Sequence, residues 1–167
     1  MKQTESSRPL LTTCVVDVAE AAVSLVWPMI ELTVFQREGS EKLEHKLRIQ
    51  AGGVSAVAVL NDSPTADAIW QALPIHAQAS TWGDEIYFSI PVSQPEDNGK
   101  AVVDLGDVAY WPPGNAFCIF FGPTPASRGS EIRPASPVNV VGHLAGDPHV
   151  FKRVNPGTRI TLEAAIE

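Results

Sequence analysis

From residue 46 onward the sequence breaks into short runs of alternating apolar and polar residues, each cut off within a few positions by glycine or proline. The runs read HKLRIQA, VSAVAVL, IHAQAS, EIYFSI, AVVDL, GDVAYW, AFCIFF, VNVVGHL and RITLEA. Such punctuation, with 12 glycines and 14 prolines in 167 residues, disfavours a helical bundle and predicts seven or eight short strands. An open sheet of so many short strands would expose its edges, so a closed barrel is the expected solution.

Local signals fill in the connections. Gly52-Gly53 between two strand-like runs predicts a tight hairpin, because glycine tolerates positive φ. One helix is expected over Pro64 to Leu73: Ser63 suits the N-cap, Pro64 the first turn, and Ala66, Ile69, Trp70 and Leu73 fall on one face. Ile69, Trp70 and Leu73 are expected to pack against the sheet. Asp107 follows Gly106 in a turn, where a carboxylate bonds nearby backbone amides.

The net charge of −7 comes from 12 Lys plus Arg against 19 Asp plus Glu, with the cations scattered; nucleic acid and anionic membranes are disfavoured as partners. The two cysteines, Cys14 and Cys118, are too few for a disulfide scaffold, and Cys118 lies in an apolar run where a buried thiol is ordinary. The first residues lack a compact signal sequence, and the longest apolar stretch is interrupted by acids and Pro28; a cytoplasmic protein without a membrane span is the expectation. Before residue 45, Val15 to Val26 show helical spacing and Ile30, Leu32 and Val34 alternate like a strand.

Three longer strings, LNDSPTADAIWQALP, TWGDEIYFSIP and GDVAYWPPGNAFCIFFGPTP, followed by SPVNVVGHL, resemble in order a family of small prokaryotic cyclophilin-like proteins of unassigned function. The resemblance spans residues 46–163 and implies a mainly β fold, a cyclophilin-like closed barrel with one short capping helix. Residues 45–167 are then the domain. Residues 1–44 read as an N-terminal extension, disordered or mis-started, with Met29 as an alternative start that makes residues 1–28 dispensable. In the prolyl isomerases of this fold an arginine follows a phenylalanine and a histidine on an outer strand face beside an aromatic groove. That string is absent here, so no catalytic residue carries over, and the alternative to a binding protein is an enzyme of unknown reaction, such as a divergent prolyl isomerase or an unrecognised hydrolase.

The residues point to one region for a site. Gly122 to Pro137, GPTPASRGSEIRPASP, is a stiff proline-rich loop longer than most connections. Trp82, Tyr87, Trp111 and Phe121 put aromatic surface near strand ends, and Glu85, Asn115, Thr124 and Arg133 supply polar groups near them. These eight are the candidate ligand-binding residues, for a small organic acid or a short peptide held on the barrel's outer face. Arg133 is expected to cross the loop to the Trp82, Glu85 and Tyr87 face, pairing with Glu85 when empty and with a ligand carboxylate when filled. Asp84 and Glu85, as strand neighbours, face opposite ways and form no shared dyad. His143, Asp147 and His149 lack the spacing of a metal site, no phosphate-cradling loop or nucleophile elbow occurs, and no metal or cofactor is expected. The sequence specifies no oligomeric state.

Overall fold

The computed structural model describes residues 44–166, and the expectations for residues 1–43 lie outside them. Among the described residues nine strands form a single sheet: β1 (Lys46–Ala51), β2 (Val54–Leu60), β3 (Ile75–Gln78), β4 (Ser80–Thr81), β5 (Glu85–Ser89), β6 (Asp107–Trp111), β7 (Ala116–Phe120), β8 (Asn139–Leu144) and β9 (Arg159–Ala164). Their order is β3-β9-β1-β2-β8-β6-β7-β5-β4, and every pairing is antiparallel.

The two edge strands of this order are consecutive in the chain. Between β3 and β4 stands Ala79 alone, whose amide donates to the Thr158 carbonyl at 2.8 Å and whose carbonyl accepts from Gly157 N–H at 2.8 Å. One extended segment therefore pairs with β9 by its first half and β5 by its second, and the sheet curls into a nearly closed barrel. This answers the edge problem that many short strands create.

Strand alternation sorts the apolar residues between two cores. Inside the barrel, Ile86, Phe88, Val108, Tyr110, Phe117, Ile119 and Val141 pack with Leu47, Ile49, Ile160 and Leu162. On the outer face of β5 to β8 a second cluster forms from Ala109, Cys118, Phe120 and Val138 with Val103 and Ile132 of the covering loops, and Tyr87, Trp111 and Val140 pack against it. Strand β7 is buried throughout because both its faces are covered, which is why AFCIFF shows no alternation.

The Gly52-Gly53 hairpin forms as expected, with Ala51 paired to Val54 and Gly52 at φ +59°. The helix, α1 (Pro64–Gln71), starts where Ser63 Oγ accepts from the Ala66 amide at 3.2 Å, but stops before Leu73. Thr65, Ala66 and Ile69 are its buried residues; Trp70 is only half-buried and stacks on the His45 ring at 4.3 Å. The run AVVDL is not a strand. Val103 N–H goes to the Ile132 carbonyl of the long loop at 3.0 Å instead, and just ahead of the run Lys100 N–H goes to the Val138 carbonyl at 2.8 Å. Among the described residues no helix is long and apolar enough to cross a membrane.

Candidate functional site

The outer-face cluster is open at one end, where a cleft of about 300 Å³ is lined by Trp82, Glu85, Tyr87, Trp111, Pro134, Ala135 and Val138. Two sheet features set its floor. Glu85 and Tyr87 are i and i+2 on β5 and share the outer face, while the register pairs Glu85 with Phe120 and Tyr87 with Cys118 on β7. Trp82 stands at the β4–β5 corner, its amide donating to the Glu85 carbonyl at 2.9 Å. Gly83, at φ +62°, makes that corner possible: a Cβ there would lie 2.8 Å from the Pro125 ring and 3.0 Å from the Pro123 carbonyl oxygen.

The long loop forms the opposite wall. Trp111 closes β6, and its indole N–H donates to Ser136 Oγ at 2.7 Å, tying loop and sheet together. Ser127 Oγ accepts from the Thr124 and Arg133 amides at 2.9 and 3.1 Å, and the Thr124 hydroxyl donates to the Arg133 carbonyl. This clasp gathers the loop's base so that Pro134, Ala135 and Val138 lie over the sheet.

Electrostatically the cleft has one ionisable anion. Glu85 is only 5% exposed, and burial pushes its carboxyl up to about 7, partly offset by a hydrogen bond with the Cys118 thiol. Burial raises the Cys118 thiol well above its usual range, and the nearby Glu85 charge adds to that. The thiol is thereby held protonated, a poor nucleophile.

Residues 45–163 match the family described as Cyclophilin-like. The chain belongs to the cyclophilin-like family. The solution structure of the hypothetical protein AF2241 from Archaeoglobus fulgidus is similar to it, with 44% identity and a TM-score of 0.66 over 76% of this chain and 99% of that one. None of the curated proteins matches the chain.

On this cyclophilin-like barrel the eight sequence candidates divide evenly. Trp82, Glu85, Tyr87 and Trp111 line the cleft together. Phe121 turns into the barrel, 3% exposed, its ring 6.3 Å from Phe151. Asn115 occupies the left-handed position ending the Pro112–Gly114 turn, φ +44°, with its Oδ1 2.7 Å from the buried Tyr110 hydroxyl. Thr124 belongs to the loop clasp.

Arg133 does not reach Glu85. Its Nε and Nη2 donate to the two carboxylate oxygens of Glu131 at 2.9 and 3.1 Å. A fork to an ionised carboxylate two residues away needs no desolvation of a buried partner, whereas Glu85 resists ionisation where it lies. The Arg133 hydrogen bond in turn lowers the Glu131 carboxyl.

Sequence reasoning missed Pro134, Ala135 and Val138, though it singled out the loop that carries the first two; it chose that loop's polar members Thr124 and Arg133, which bond within the loop itself. It also missed the Glu85–Cys118 contact, which depends on β5 pairing with a strand far along the chain. Asp84 turns away from Glu85, as expected, and lies 3.6 Å from Lys152 Nζ. Asp107 accepts from the Asp104 amide at 2.9 Å and meets His143 Nδ1 at 3.1 Å, while His149 meets Asp147 at 2.8 Å. Among the described residues no three His, Cys, Asp or Glu side chains are grouped to hold a metal ion.

Proposed function

We propose that this chain is a ligand-binding domain whose outer-face cleft takes the apolar body of a small molecule or a short peptide segment. The observation that carries the reading is the cleft's composition: three aromatic side chains and three aliphatic loop positions around a single buried carboxyl. Ligand sites are typically concave, mostly apolar and oriented by a few polar groups, with volumes of about 300 to 1,000 Å³. An organic acid finds no cationic partner among the lining residues, since the Arg133 guanidinium is engaged by Glu131. Cytoplasmic residence remains part of this reading.

The test is a thermal-shift screen of metabolites and short peptides, followed by titration of tryptophan fluorescence, to which Trp82 and Trp111 give a direct local signal. Saturable binding that is lost in Trp111→Ala is the expected result. Ligands that bind equally well to Trp111→Ala would overturn the cleft as the site.

A second reading, an enzyme, draws support from one observation. A carboxyl poised near neutrality in an aromatic cleft suits general acid or base work. A prolyl isomerase is the weaker form of it, because no lining residue is an arginine able to polarise a prolyl amide. A standard peptide assay is expected to give the uncatalysed rate; acceleration abolished by Glu85→Gln would favour the enzyme instead.

A further inference from the structure

We infer that the ligand of the outer-face cleft is an organic ammonium, its apolar body between Trp82, Tyr87 and Trp111 and its cationic nitrogen against Glu85. The inference rests on the cleft being a binding site and deepens that reading by naming the ligand's charge. Of the seven lining residues three are aromatic, three are uncharged loop positions and one is a carboxylic acid, so the only full charge the lining can carry is negative.

Aromatic faces attract cations through the ring quadrupole, more strongly when water is excluded, and a carboxylate at the same spot supplies the counter-charge. Two cations beside lining residues are engaged elsewhere: Arg133, which precedes Pro134, is held by Glu131, and Lys152 lies beside Asp84, which precedes Glu85. Glu85 has the weak Cys118 thiol as its hydrogen-bond donor, which leaves acceptor positions on its two oxygens for a ligand N–H. Burial disfavours its ionised form, and an incoming cation restores it. A small inorganic cation would need several oxygen ligands, and the lining offers one carboxyl. An ammonium on an apolar body satisfies the carboxyl and the rings together.

The experiment titrates the full chain with phenethylamine, its neutral isostere 2-phenylethanol and the carboxylate 3-phenylpropionate, reading tryptophan fluorescence. Phenethylamine is expected to bind at least about tenfold more tightly than the alcohol, as loss of a charge-assisted contact implies, and the carboxylate least. Glu85→Gln should erase that preference, so that the amine loses its advantage over the alcohol. Ala135→Lys, which places a cation at an exposed lining position, should weaken the amine in the same way and serves if the Glu85 variant fails to fold.

Equal binding of amine and alcohol, or strongest binding of the carboxylate, would overturn the ammonium and leave the cleft standing as a binding site. No binding by any of the three would overturn both. A phenylalanyl dipeptide with a free amine, set against its N-acetyl twin, separates the two sources of such a group. Tighter binding of the free dipeptide than of phenethylamine assigns a peptide terminus, weaker binding assigns a free amine, and equal binding of the twins overturns the ammonium.

Discussion

The Cys118 thiol hydrogen-bonds the Glu85 carboxyl on the outer face of the barrel, where β7 and β5 bring the two side chains to one side of the sheet. Among the described residues neither group has a salt-bridge partner, so the pair is accommodated by protonation. That has a measurable effect on folding.

The folded-state pKa of Glu85, about 7, stands above its unfolded value of 4.5. Between those values the unfolded chain has released the proton and the folded chain retains it, so stability falls as pH rises through that window. At about 1.4 kcal/mol per unit the loss is on the order of 3 kcal/mol, complete above the folded pKa. Glu85→Gln cannot ionise and lacks this slope. Urea unfolding of both proteins at about pH 4 and pH 8 should show the variant gaining relative stability at the higher pH; parallel profiles would contradict the assignment. Cys118→Ala, by removing the thiol's hydrogen bond, should move the Glu85 titration higher still.

A close backbone approach at Gly142 gives a second prediction. Gly142 on β8 faces β2, and a Cβ there would lie 2.3 Å from the Val59 carbonyl oxygen and 3.0 Å from Leu60 Cα. Both obstacles are main chain held in the ladder, and the β6–β8 pairing is already irregular beside them. Gly142→Ala should cost about 2 to 3 kcal/mol by overpacking. Gly146→Ala is the control: a Cβ there meets nothing within 4 Å, and its effect should stay within about 0.5 kcal/mol.

The helix gives a third. Ile69 is 0% exposed, and Ile69→Ala should cost about 2 to 5 kcal/mol by transfer and cavity effects. Trp70 is half-buried and keeps one face on His45, so Trp70→Ala should cost less, about 1 to 2 kcal/mol. The order of the two midpoints in urea checks the assignment; a larger loss for Trp70 would make the tryptophan, not Ile69, the helix's main anchor on the core.

How far the sequence discloses this arrangement varies with the physics of each element. In EIYFSI the alternation is clean because one face meets the barrel interior and the other a partly open surface, so Glu85 and Tyr87 were assignable to one side and Ile86 and Phe88 to the other. In AFCIFF both faces are covered and the pattern vanishes; Phe120 facing out and Phe121 facing in could not be told apart before the pairing was known. AVVDL looked like a strand because its composition is that of one, yet its Val103 amide bonds to a loop, and composition does not encode a partner. Arg133 was placed by reach, whereas its partner was decided by Glu131 being close and ionised without cost.

Ser136 and Arg133 both belong to the long loop but hold it in different ways. Ser136 accepts the Trp111 indole N–H at 2.7 Å and is the tie between the loop and the wall of the cleft. Ser136→Ala leaves that donor seeking water, which should cost about 1 kcal/mol and let the loop over Pro134 and Ala135 loosen. Ligand affinity should fall several-fold, because the loop must then be ordered on binding. Arg133→Ala removes a larger and charged side chain, but one partly exposed and paired with a neighbour two residues away. Such pairs contribute little, so the melting point should be unchanged and affinity for a cleft ligand altered by less than about twofold. Thermal unfolding and fluorescence titration of both variants with the same ligand decide the ranking; an affinity loss larger for Arg133→Ala than for Ser136→Ala would return the guanidinium to the site and remove the loop tie from it.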